Sequence, residues 1–158
     1  MMKRWLIGSL LVIISLLMIV GCNSKNNHNK NSTTDTNGKE NNSSEVINSV
    51  KVTINSKQYT IQLEDNETAK SFANFLPQKF NMNELNGNEK YIYLDTTLPT
   101  NPFNPKEINS GDVMLYGNNC LVIFYKSFDT SYTYTKIGHI DDLDDLGNEN
   151  IVVKFEQK

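Results

Sequence analysis

Ser71, Ser110, Ser127 and Ser131 are hydroxyls that could act as nucleophiles, but none stands in a Gly-x-Ser-x-Gly setting. Beyond residue 45, His139 is the one imidazole that could serve them as a base. A nucleophile, a base and a group to orient the base are needed together, and this composition predicts no catalytic set. Flanked by Gly138 and Ile140, His139 is expected to play a structural or surface part. The acidic run Asp141-Asp142-Leu143-Asp144-Asp145 invites a calcium reading, since hard cations take several oxygens at alternate positions before a glycine. Here Leu146 stands immediately before Gly147, where a ligand should be. Leu143 and Leu146 are better read as anchors of a short helical turn whose acids face water, so no metal and no cofactor is expected. Cys120 opens an apolar run with no cationic neighbour in sequence to lower its pKa, and reads as a buried, inert thiol.

The other cysteine belongs to a different kind of chemistry. Lys3 and Arg4 precede an almost unbroken apolar run from Trp5 to Val20, which ends in Ile19-Val20-Gly21-Cys22. The cations stay on the cytoplasmic side, the apolar segment enters the bilayer, and Gly21 leaves room for a peptidase at the scissile bond. These four residues resemble the lipobox of bacterial lipoproteins. The resemblance implies a signal peptide over residues 1–21 and a diacylglyceryl group on the Cys22 sulfur, with the membrane as partner through that lipid. An uncleaved anchor and an ordinary secretory signal are the alternatives. The run is short for a spanning helix, which needs about 20 residues, and all three readings export the chain beyond Cys22. With Cys22 lipidated, Cys120 is the last free thiol, so an intramolecular disulfide is excluded.

Residues 22–45 then change character. From Asn23 to Glu45 the chain has no apolar side chain larger than that of threonine, too little to offset the entropy of ordering. The segment is expected to be a disordered tether with a reach of about 25–30 Å, and the lone His28 within it carries no implied ligand role.

The remaining residues, 46–158, suit one domain. Ten lysines against fifteen acids give this part a net charge of about −5, the wrong sign for a nucleic-acid footprint. Val50 to Ile54 alternates apolar and polar residues, Asn55-Ser56-Lys57 turns, and Tyr59, Ile61 and Leu63 resume the alternation, a hairpin signal. Asp65 or Asn66 can cap a helix that buries Ala69, Phe72, Ala73 and Leu76 on one face and stops at Pro77. Lys90 to Leu94, Asp112 to Tyr116, Cys120 to Lys126, Tyr132 to Ile140 and Ile151 to Phe155 read as strands. Pro99, Pro102 and Pro105 predict an irregular loop over residues 97–110. Seven or eight short strands with one helix predict a mainly β domain, a small closed barrel or a sandwich.

Three segments carry a more specific likeness. They are Leu63-Glu64-Asp65-Asn66 with Thr68-Ala69, Phe72 and Leu76-Pro77; Gly111 to Tyr116 followed by Leu121 to Tyr125; and Ile137-Gly138-His139-Ile140. In this order they resemble the small bacterial cyclophilin-like domains, which implies a closed β-barrel of that type with one helix. The resemblance also implies a test for prolyl isomerase activity. Cyclophilins that isomerise X-Pro bonds use a groove arginine, whose planar donors a lysine cannot reproduce. The only arginine here is Arg4 and the only tryptophan Trp5, both in the leader. Isomerase activity is therefore not expected.

What remains is an aromatic-rich groove without a catalytic set, drawn from Phe124, Tyr125, Tyr132, Tyr134 and the proline-rich loop around Phe103. The expected function is a membrane-anchored extracytoplasmic domain that binds a small molecule or peptide without catalysis. A foldase-type helper for exported proteins is the runner-up, and a structural envelope protein the third reading. Replacing Cys22 with alanine should abolish metabolic labelling by a fatty-acid probe; labelling that persists in this variant would refute the anchor.

Overall fold

The computed structural model describes residues 47–158, so the leader, Cys22 and the tether over residues 22–45 lie outside the described residues. The predicted first hairpin is present as β1 (Ser49–Ile54) and β2 (Lys57–Leu63). Asn55 and Ser56 both take positive φ angles, 47° and 68°, the backbone of a tight two-residue turn. Val50, Val52 and Ile54 alternate inward and are buried. Helix α1 (Glu67–Asn74) comes next, and Asn66 rather than Asp65 is its cap, accepting a 2.8 Å hydrogen bond from the Ala69 amide. Its apolar face closes on the barrel, with the Phe72 ring edge-on to Phe155 at 5.5 Å.

Strand β3 (Gln78–Leu85) lies directly after the helix, where the sequence pattern predicts no strand. In its residues, QKFNMNEL, only Phe80 and Met82 alternate with polar neighbours and only Met82 is fully buried, a short signal for a strand. Pairing with its neighbours is what makes it a strand. The Asn86-Gly87 turn, with φ angles of 56° and 70°, then leads to β4 (Glu89–Tyr93). After the proline-rich segment come β5 (Glu107–Ile108), β6 (Asp112–Tyr116), β7 (Cys120–Phe124), β8 (Phe128–Asp129), β9 (Thr135–Ile140) and β10 (Ile151–Gln157). Eight of these strands close a barrel in the order β1-β10-β3-β4-β7-β6-β9-β2, every neighbouring pair antiparallel. The expectation of a mainly β closed barrel with one helix holds.

Three local expectations need correction. Residues 97–110 are not wholly irregular, because β5 pairs with β8 in a separate two-stranded ribbon. The strand expected from Tyr132 begins at Thr135, and Tyr134 makes only an isolated bridge to Phe103. No helical turn forms over residues 143–146. Leu146 is buried and Leu143 packs against the core, but Asp144 pairs with Lys57 and Tyr59, and Asp145 accepts from the Gly147 amide. The acids are used by side-chain and backbone partners that an isolated helical turn would not offer.

The alternation of β7 splits its apolar residues between two cores. Leu121 and Ile123 face the barrel interior with Val113, Leu115, Val153 and Phe155. Cys120, Val122 and Phe124 face outward into a second cluster with Ile108, Met114 and Tyr134. All five residues of β7 are buried, as expected for a strand covered on both faces. Gly138 in β9 is required sterically, since a Cβ there would run into the Gln62 carbonyl and the Ile61 side chain.

One buried charge is a lysine. Lys90 is 0% exposed, and its ammonium donates to the Glu84 carboxylate, to the Gly147 carbonyl at 2.6 Å and to the Glu149 carbonyl at 2.8 Å. The Tyr125 hydroxyl donates to the same Glu84 oxygen at 2.8 Å, and Lys90 Nζ lies 4.8 Å from the Tyr125 ring centre. Burial alone would raise the Glu84 pKa; the hydrogen bonds from Lys90, Tyr125 and the Gly87 amide outweigh it and hold the carboxyl below its usual range. Removing one partner of a buried pair strands the other charge, at about 3–5 kcal/mol. Lys90→Met should lower stability by about that amount in urea unfolding, and adding Glu84→Gln should recover part of it. A loss below about 0.5 kcal/mol, the range of ordinary surface changes, would contradict the interior role.

Candidate functional site

Because Lys90 points into the barrel, its neighbours Glu89 and Tyr91 point out, and Tyr93 comes two positions after Tyr91. Across the sheet, Tyr91 stands opposite Val122 and Tyr93 opposite Cys120, while Tyr116 at the end of β6 is opposite Cys120 from the other side. A cleft of about 290 Å³ opens on this outer face, with Cys120 and Val122 among its lining residues. Glu89, Tyr91, Tyr93, Tyr116, Tyr132 and Tyr134 also line it. Its size is at the lower end of ligand pockets, which run from about 300 to 1,000 Å³.

The segment that supplies Tyr132 and Tyr134 is held by backbone hydrogen bonds rather than by a long strand. The Phe103 amide donates to the Tyr134 carbonyl at 2.9 Å, and the Tyr134 amide donates back at 3.0 Å. The Asn104 side chain donates to the Ser131 carbonyl, and the Thr130 amide to the Lys106 carbonyl. The proline-rich loop is therefore a brace for the cleft wall. Below it, Phe124 meets Tyr134 edge-on at 5.5 Å and Phe128 at 5.7 Å, which fixes the wall from beneath.

These positions revise the expected groove. Tyr132 and Tyr134 line the cleft as expected. Phe103 does not; it is partly exposed beside a different hollow formed with Glu64, Asn66 and Lys136. Phe124 is 0% exposed, so it supports the wall and cannot touch a ligand. Tyr125 is buried in the main core and spends its hydroxyl on Glu84. Adjacent residues of a strand face opposite ways, and grouping Phe124 with Tyr125 ignores that. Glu89, Tyr91, Tyr93 and Tyr116 join the cleft without having been expected there, although part of their signal is present: Glu89, Tyr91 and Tyr93 recur at every second position.

The electrostatics of the cleft are one-sided. Glu89 is its only charged lining residue among those described. Burial first, and the negative charge of Glu84 second, push its carboxyl up to about 7. The Cys120 thiol is pushed up to about 11, again by burial and then by Glu89, which agrees with an inert cysteine. Tyr134 is raised for the same two leading reasons, so its hydroxyl stays neutral. On the other side of β6, the buried Asp112 holds His139, with Nδ1 3.1 Å from Oδ1, and accepts from the Asn109 amide at 2.9 Å. Lys136 lies 3.4 Å from the same carboxylate. His139 is thus better partnered than its sequence neighbours suggest, in a cluster that ties β9 to the turn before β6. Gly111, at φ 97°, lets that turn pass close to the His139 ring. Among the described residues, no group of three metal-ligating side chains is assembled.

A model of the cyclophilin-like family matches residues 52–156. The chain belongs to that family. Comparison with curated proteins and with solved structures brings no match. The match runs from within β1 to within β10 and takes in the helix and the other six barrel strands, and the cleft lies on the outer wall of that barrel.

The raised Glu89 pKa gives a pH dependence of definite sign. Between its ordinary value of 4.5 and about 7, the folded state holds a proton there that the unfolded state has released. Stability from this group is fully present below the unfolded pKa and is lost as pH rises through about 7. Carboxyl-carbon NMR should show Glu89 titrating near 7, and Glu89→Gln should flatten the fall in stability over that window. A midpoint near the ordinary carboxylate value would refute the burial argument.

Proposed function

We propose that this protein is an extracytoplasmic binding protein, held on the cell membrane by lipid on Cys22 through the polar tether that follows it. Its cyclophilin-like barrel takes a small molecule or a peptide segment in the tyrosine-lined cleft and does not transform it. The observation that carries the reading is the convergence of five tyrosines on one cleft above a buried apolar floor. Tyrosine offers large, stiff contact area with a polar tip, the composition of surfaces that recognise ligands.

Lack of catalysis is supported by charge. Twisting an X-Pro amide makes the prolyl nitrogen more basic, and catalysis calls for a donor aimed at it. Among the described residues, the cleft presents Glu89 and tyrosine hydroxyls and no lysine or arginine. Lys126 lies over the Tyr125 ring and near Asp145, and Lys136 sits between Glu64 and Asp112. Neither lines the cleft.

In a protease-coupled proline-peptide assay the protein should not accelerate the uncatalysed relaxation, which takes tens of seconds. Native mass spectrometry of protein purified from its own host should show a bound adduct that is lost in Val122→Glu. Robust isomerisation would replace this reading with the foldase one; no adduct in the wild type would count against a binding role.

A further inference from the structure

The cleft combines aromatic walls with a single carboxyl group that has no lysine or arginine beside it among the described residues. The rings do not stack flat. Tyr91 and Tyr93 meet at 83° with centres 6.0 Å apart, and Tyr116 and Tyr132 at 87° with centres 6.1 Å apart. Tyr134 leans on Tyr116 at 5.6 Å and 53°. Rings set at steep angles to one another form corners, which let a group in the enclosed space meet both faces and edges. An aromatic face carries partial negative charge and attracts a cation brought within about 6 Å of its centre.

Glu89 adds a carboxyl group to the same space. Several other acids have lysine partners: Glu84 with Lys90, Asp112 with Lys136, Asp144 with Lys57, Glu156 with Lys51 and Lys154. The charge that acts on Glu89 is that of another acid, Glu84. Burial and that like charge hold its carboxyl up at about 7, and a cation in the cleft would draw it back down.

We propose that the cleft recognises a small organic cation bearing a methylated ammonium, with Glu89 as its counter-ion and the five tyrosines as its walls. The inference rests on reading this cleft as a ligand site and names the class of ligand. Methylation matters because a bare ammonium is strongly hydrated, and its desolvation offsets the attraction of the rings. A methylated one sheds water readily and fills an apolar-walled space. The small volume of the cleft suits such a headgroup better than a bulky ligand.

The test is calorimetric titration of the full chain in a maltoside detergent with choline, and separately with 3,3-dimethylbutan-1-ol, its uncharged isostere. Choline should bind at least about tenfold more tightly than the isostere, the scale of one desolvated cation–π contact. Glu89→Gln should weaken choline by about tenfold and leave the isostere unchanged. Tyr116→Leu should weaken choline while Tyr116→Phe retains it, and thermal unfolding of each variant separates misfolding from lost recognition. Equal binding of choline and isostere would overturn the cation inference and leave the cleft a ligand site. Failure of both to bind would also overturn it, and the co-purified adduct would then decide the binding reading by itself.

Discussion

An ammonium with no exposed surface sits inside this barrel, and much of the outer architecture depends on where it points. Lys90 can be buried because the Glu84 carboxylate and two loop carbonyls receive its three protons, and the Tyr125 ring lies beside it. Without those partners its desolvation would be prohibitive. The partners come from β3, from the residue after β7 and from the loop before β10. One interaction thus fixes the register of β4 against its neighbours and draws in the 147–149 loop. A strand slipped by one residue would put Lys90 outside and bury Glu89, leaving Lys90 and Glu84 without each other.

That orientation creates the cleft. With Lys90 inward, Glu89, Tyr91 and Tyr93 must face outward, onto the wall where Cys120 and Val122 already supply an apolar floor. The second core beneath it, around Phe124, Met114 and Ile108, gives the β5–β8 ribbon and the Tyr132–Tyr134 segment something to pack on. Hydrogen bonds between Phe103 and Tyr134 then set the height of the far wall. The cleft is built on strands and braced loops, so the backbone that carries its tyrosines is held in place.

Two acids on neighbouring strands show how environment divides similar groups. Glu84 receives three hydrogen bonds that hold its carboxyl below the usual range, whereas burial first and the charge of Glu84 second push Glu89 up to about 7. The family fold has therefore been furnished here with a carboxyl group and tyrosines on its outer wall. Fold and activity separate at this level, since the barrel is retained while the groups exposed on it set the chemistry.

Closure of the barrel was implied by the cyclophilin-like resemblance, while the amino-acid pattern by itself left barrel or sandwich open. That pattern determined the mainly β class, the first hairpin, the helix with Asp65 or Asn66 as its cap, and the strand buried on both faces. Each depends on short-range periodicity or on a turn whose backbone demands particular residues. Strand β3 was not read from the sequence, because its apolar alternation is confined to Phe80 and Met82 among polar residues and half of its pairing comes from β10, far along the chain. The cleft was half legible. Tyrosines 132 and 134 could be named; alternation alone sets Phe124 and Tyr125 on opposite faces, but only the packed structure shows that both are covered, one in each core. Glu89 and Lys90 look interchangeable as neighbouring surface charges in the sequence. Only the tertiary structure decided that the lysine goes in and the glutamate out, because only there do Glu84 and the distant carbonyls of Gly147 and Glu149 come within hydrogen-bonding distance of one and not the other.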